Sequence, residues 1–182
     1  VLQNKIRRLV VGVVTAAASL LVVISPAAAE TSAVRVIKYD TSQAQEFKAA
    51  WDEGARVWNA SVRNVRLEPG TPAQIRILAD NGWPRAQVSG LGRGTVWMGR
   101  TAVNDGHHIP RITAHELGHI LGLPDRRTGL CVDLMSGASA GTSCKNTNPN
   151  AAEKAQVERN FAGGFQAVTP SSPDGSDWAL AG

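Results

Sequence analysis

His115, Glu116 and His119 stand in the run His115-Glu116-Leu117-Gly118-His119, and on a helix that spacing has a mechanical meaning. Side chains four residues apart share a face, one turn above the other, so both imidazoles can reach a single ion. Glu116 follows His115 by one position and is turned off that face by about 100°, the step of a helix with 3.6 residues per turn. Its carboxylate should therefore stand beside the ion rather than ligate it, in position to hold a water. A catalytic zinc takes three protein ligands and keeps a fourth position open, so another ligand must come from downstream. Gly122 lies three residues after His119, where a glycine can turn left-handed and end the helix. Leu123 precedes Pro124, which biases it away from helical geometry. A sharp turn there would swing Asp125 back to the metal.

The whole run from His115 to Asp125, HExxHxxGxxD, resembles the metzincin clan of zinc endopeptidases. A carboxylate in the third position, where many members carry His, resembles the snapalysin family of small secreted neutral proteases. The resemblance extends from about Val34 to Ala162 and includes Trp58-Asn59-x-Ser61-Val62-Arg63-Asn64-Val65. It implies a zincin-like α/β (α+β) fold with a twisted mixed sheet, a long N-terminal helix, an active-site helix, a Met-turn and a C-terminal helix. Met135, in Cys131-Val132-Asp133-Leu134-Met135-Ser136-Gly137, resembles the Met-turn residue, and Cys131 and Cys144 stand where that family forms its disulfide. The implied activity is proteolysis at one Zn2+, with Glu116 as general base and an aromatic residue preferred at P1′, on the carboxyl side of the cut bond. Protein or peptide substrates are the partners expected, and a monomer the expected state.

Two departures from the family's pattern bear on chemistry. Members can carry a calcium site built from an Asp and a Thr ahead of the active-site helix. The aligned positions here are His108 and Pro110, with Asp105 nearby but displaced, so Ca2+ stays an open alternative. His107 and His108 otherwise read as solvent-facing loop residues. Members also commonly follow the aspartate ligand with His-Tyr, the tyrosine helping to stabilise the tetrahedral intermediate, whereas this chain has Arg126-Arg127. Either Arg127 supplies a cationic donor for the oxyanion, or turnover proceeds with zinc alone. Rival readings are a chance match on an ordinary amphipathic helix, or Glu153 or Glu158 as a distant third ligand. Neither gives a role to Gly122 and Asp125. From another class comes a secreted zinc-binding adhesion or interaction module without turnover, which would have no use for a base at Glu116.

The 182-residue chain is 43% apolar and 19% charged, the proportions of one folded domain rather than a disordered polymer. Its net charge of +4 is misleading about partners. Asn4 to Arg8 form a basic n-region, Leu9 to Ile24 an apolar stretch, and Ser25-Pro26-Ala27-Ala28-Ala29 a small-residue cleavage site, together the pattern of a secretory signal peptide over 1–29. The apolar stretch is short of the ~20 residues a spanning helix needs. Removal of 1–29 lowers Lys+Arg from 19 to 16 against 15 Asp+Glu, a net charge of +1. Nucleic-acid binding then lacks clustered cations, and no membrane attachment is expected after cleavage. In an oxidising compartment the two cysteines are expected to pair, closing a loop that stabilises by roughly 3 kcal/mol.

The elements that must position the chemistry follow from periodicity. Val34 to Tyr39 alternates as a strand, Asp40 to Ser42 offers N-cap oxygens, and a helix is expected from Ser42 to Asn59 with Phe47, Trp51, Gly54 or Ala55, and Trp58 as its buried stripe. Val62 to Leu67 and Ala73 to Leu78 read as strands, with 68–72 as the turn between them. Ser89 to Gly94 is a glycine-rich connection into Thr95, Val96, Trp97, Met98 and Gly99, the expected edge strand along which an extended substrate would add, with Trp97 packed beneath it in the core or else facing the cleft. Pro110 to Leu121 is the active-site helix, and Pro149 to Phe161 a last helix with Asn148 as cap. The mature domain is expected over 30–164 and a Pro/Ser/Gly-rich, mobile tail over 165–182.

Overall fold

The computed structural model describes residues 34–163; the expected signal peptide and tail lie outside the described residues. Five strands form one mixed sheet: β1 (Arg35–Gln43), β2 (Val65–Pro69), β3 (Ile75–Asp80), β4 (Arg85–Gly90) and β5 (Arg93–Gly99), in the order β2-β1-β3-β5-β4. The helices are α1 (Lys48–Ser61), α2 (Arg100–Asn104), α3 (Ile109–Ile120) and α4 (Ala151–Asn160), with 3-10 turns at Gln45–Phe47 and Leu134–Ala140. This is the expected α/β architecture.

β1 pairs in parallel with β2 through its first half and with β3 through its second, meeting both at Tyr39. The 70–74 segment crosses β1 there, with Gly70 N–H donating to Tyr39 O and Gln74 N–H to Lys38 O. β5 runs parallel to β3, and β4 closes the sheet antiparallel to β5. Alternation puts Ile37, Tyr39, Ile75, Ile77, Val96 and Met98 on the buried face. Trp51 and Trp58 of α1 and Ile112, Leu117 and Ile120 of α3 complete the core. Trp51 and Trp58 are fully buried, as the helical stripe predicts.

Four expectations are corrected. β1 runs on to Gln43, because Asp40 uses its side chain to accept from Ser42 N–H at 2.8 Å instead of capping a helix, and α1 begins only after the 3-10 turn. Asn150, not Asn148, caps α4: its side chain accepts from Glu153 N–H at 2.9 Å while the Glu153 carboxylate accepts from Asn150 N–H at 2.7 Å, a capping box. Thr95, Val96, Trp97, Met98 and Gly99 lie on β5, which is hydrogen-bonded to β3 on one side and β4 on the other. They cannot be an edge; the edge beside them is β4. Trp97 points away from the core that Val96 and Met98 enter, and the Arg85 guanidinium lies over its ring at 4.4 Å from the centroid.

Candidate metal centre

α3 carries the first two donors, and nearly every position of it is buried, from Arg111 through Ile120. Such a helix is held by packing on all sides rather than along one stripe. Pro110 sits in its first turn, where a missing N–H leaves no bond unmade. Trp58 of α1 fixes its height, the indole Nε1–H donating to Ala114 O at 2.8 Å, and Thr113 Oγ1–H reaches back to Ala50 O at 2.9 Å. The helix stops as its sequence demands. Gly122 adopts φ +88°, and a Cβ there would also meet the Asn160 amide at 2.6 Å. Its N–H donates to His119 O, and Leu123 N–H to Gly118 O, a closure of the Schellman type.

Asp125 is delivered by that turn. Its Oδ1 lies 3.1 Å from His115 Nε2 and 3.6 Å from His119 Nε2, and the two Nε2 atoms are 3.1 Å apart. Among the described residues this is the one His, Cys, Asp and Glu group placed to hold a metal ion. The fit can be tested on the donors. His115 Nδ1–H donates to Leu134 O at 3.0 Å and His119 Nδ1–H to Leu123 O at 2.8 Å, which fixes both tautomers and turns both Nε2 lone pairs toward the carboxylate. Two lone pairs and an anionic oxygen converging this closely repel one another unless positive charge lies among them. Four tetrahedral ligands at zinc distances would stand about 3.3 Å apart, close to the observed triangle.

The same electrostatics shows in the imidazoles themselves. Burial and the neighbouring His115 push His119 down to about 4. Burial also pulls His115 down, but the hydrogen bond that its protonated ring would give Asp125, with the charges of Glu116 and Asp125, outweighs it and leaves it raised. Positive charge is favoured at this point, and His119 meets it neutral. Glu116 is fully buried beside them.

The segment beneath the donors is clamped from two sides. Met135 is buried under α3, with its Sδ 2.7 Å from where a Cβ on Gly118 would stand. Glu153, 2% exposed, accepts from Leu134 N–H at 3.3 Å and Met135 N–H at 2.8 Å. It is therefore no metal ligand, and neither is Glu158, whose carboxylate accepts from Arg63 N–H at 2.7 Å and Asn64 N–H at 3.0 Å. Cys131 and Cys144 form the expected disulfide, with Cα atoms 5.4 Å apart.

Arg127 takes φ +44°, a left-handed conformation that bulky residues avoid, and its Nη2 lies 3.8 Å from Asp125 Oδ2. A cation thus stands against the far oxygen of the third donor. His107 and His108 do not join the group. His107 packs edge-on against Trp83, His108 precedes α3 as its cap, and both are half-buried rather than solvent-facing, so that burial pushes their pKa down. Pro110 and Asp105 are likewise outside it. The residue that sequence reasoning missed is Arg111. Its signal was its place four residues before His115, on the ligand face.

The model of a family described as Streptomyces extracellular neutral proteinase (M7) matches residues 33–164. The extracellular small neutral protease of Streptomyces sp. (strain C5) is 41% identical over 141 residues, 76% of this chain and 61% of that protein. Its namesake from Streptomyces caespitosus is 41% identical over 130 residues, 70% of this chain and 98% of that protein. That from Streptomyces coelicolor is 39% identical over 132 residues, 71% of this chain and 60% of that protein. The chain thus spans about six tenths of two of these relatives and nearly all of the other.

Proposed function

The chain belongs to the Streptomyces extracellular neutral proteinase (M7) family, and on that premise we propose that it is a secreted zinc-dependent endopeptidase. The observation that carries this reading is the convergence of His115 Nε2, His119 Nε2 and Asp125 Oδ1 beside a fully buried Glu116. His115, His119 and Asp125 hold the ion, and both imidazoles are oriented by backbone carbonyls. Zinc, when bound, supplies Lewis acidity that polarises the peptide carbonyl and acidifies water. Glu116 Oε takes the proton of the attacking water and gives it to the leaving nitrogen, so no acyl-enzyme and no serine or cysteine nucleophile is needed.

The substrate lies extended along β4, adding as a further strand to the edge that β5 was expected to provide. Arg127 contributes a donor to the oxyanion, supported by a guanidinium at the rim of the donor group. An aromatic residue at P1′ is the preference the family resemblance implies. Export fits the amino-terminal pattern and the names of the relatives, and no described helix is long and apolar enough to cross a membrane.

Chelation followed by zinc add-back, with casein as substrate, tests the reading. Activity should vanish and return. A zinc-loaded chain that cuts no protein or peptide would instead make this a zinc-binding interaction module.

A further inference from the structure

Arg111, His115 and His119 recur every four residues and so share one face of α3. Arg111 is 2% exposed, an expensive place for a guanidinium unless its donors are used. They are. Nη1–H groups donate to Asn146 O at 2.8 Å and Cys131 O at 3.3 Å, and Nη2–H groups to Asp133 O at 2.7 Å and Leu134 O at 3.3 Å.

Leu134 O is the acceptor that links this network to the metal centre. It receives Arg111 Nη2–H and His115 Nδ1–H together, one for each lone pair. From the other side Glu153 holds the N–H groups of Leu134 and Met135. The Leu134 carbonyl is thus fixed in direction by a cation on its oxygen and an anion on the amide N–H groups either side of it. An imidazole that donates to a fixed acceptor has a fixed ring plane, and its Nε2 then points one way. Arg111's other arm reaches Cys131, a member of the disulfide, and Asn146, two residues past Cys144.

We propose that Arg111 is a positioning residue of the metal centre: through the Leu134 carbonyl it orients His115, and it couples that orientation to the disulfide loop. The inference rests on the reading of His115, His119 and Asp125 as metal ligands. It is distinct from a contribution to folding alone, because it predicts an effect on metal affinity that exceeds what a comparable loss of stability produces elsewhere.

The test measures zinc affinity by competition with a chromophoric chelator, the visible spectrum of the Co(II) form, and thermal unfolding of the metal-free chain. The proteins are the wild type, Arg111→Met, Arg111→Lys and Glu158→Gln, the last loosening the tie between α4 and residues 63–64 away from the centre. Arg111→Met should weaken zinc binding by roughly 10- to 100-fold and shift the Co(II) bands. Arg111→Lys keeps the charge but not the fork that spans both loops, and should recover part of the affinity. Glu158→Gln should lower the unfolding temperature and leave zinc affinity unchanged.

A folded Arg111→Met chain with wild-type zinc affinity and spectrum overturns the proposal. Where Arg111→Met fails to fold, Arg111→Lys decides: weaker zinc binding than Glu158→Gln supports it, and wild-type affinity overturns it. Absence of zinc binding in every chain, wild type included, overturns the metal-ligand reading itself and is thereby told apart from a failure confined to Arg111.

Discussion

Gly118 and Met135 meet where α3 crosses the Leu134–Ala140 turn: a Cβ on Gly118 would stand 2.7 Å from Met135 Sδ and 3.2 Å from Trp58 Cζ2. Hydrogen at this position lets the helix lie directly on the thioether. Met135 can move its end, but Trp58 is locked by its bond to Ala114 O. Gly118→Ala should therefore cost about 1–3 kcal/mol through overpacking, read as a lowered unfolding midpoint, and should weaken zinc binding, because His115 and His119 flank the displaced turn.

Glu153 is the buried acid that the rival reading offered as a ligand, and it serves instead as acceptor for three backbone N–H groups, those of Leu134, Met135 and Asn150. Glu153→Ala leaves buried donors without acceptors and removes half the capping box. A loss of about 2–4 kcal/mol is expected, measured by denaturant unfolding of the metal-free chain. A direct ligand role would leave metal-free stability nearly unchanged.

Arg127 separates two accounts of turnover. If its guanidinium stabilises the oxyanion, Arg127→Gln should lower kcat by about 100-fold or more, with KM little changed. Arg127→Lys should retain part of the rate. An unchanged kcat in Arg127→Gln would mean that turnover proceeds with zinc and Glu116 alone.

Asp80 gives a pH dependence with a definite sign. The hydrogen bond from Arg85, at 2.6 Å, holds the Asp80 carboxyl below its ordinary value. A lowered folded-state pKa contributes stability fully above the unfolded value, and that contribution is lost as pH falls through the lowered one. Asp80→Asn should therefore unfold at lower temperature than the wild type at neutral pH, and the difference should close in acid. The pair is partly exposed, so its contribution should stay under about 1 kcal/mol. A gap that widens in acid would reverse the sign and contradict the assignment.

The convergence of His115, His119 and Asp125 is legible in the sequence because helical spacing and a glycine stop are local properties. Their geometry follows from three or four residues of backbone, and Gly122 at φ +88° delivers Asp125 as the pattern demands. Strand order is not local. Residues 95–99 come shortly before α3, with only α2 between them, which suggests an edge, but the edge on that side is β4, whose apolar residues are only Ala86 and Val88. Two apolar residues, Ala86 and Val88, make an alternation too short to mark a strand. Arg111 escaped for a different reason: arginine is assigned to the surface by default, and its burial is settled by four carbonyls from a loop 20 to 35 residues away.

Proteolysis by this chain requires Glu116 to act beside an ion that His115, His119 and Asp125 hold. The direct measurement is zinc content together with casein cleavage for the wild type, Glu116→Gln and Asp125→Ala. One zinc per chain in the wild type and in Glu116→Gln is predicted, with cleavage abolished in the latter, and loss of zinc in Asp125→Ala. Cleavage that survives in Glu116→Gln, or zinc bound undiminished by Asp125→Ala, would contradict it.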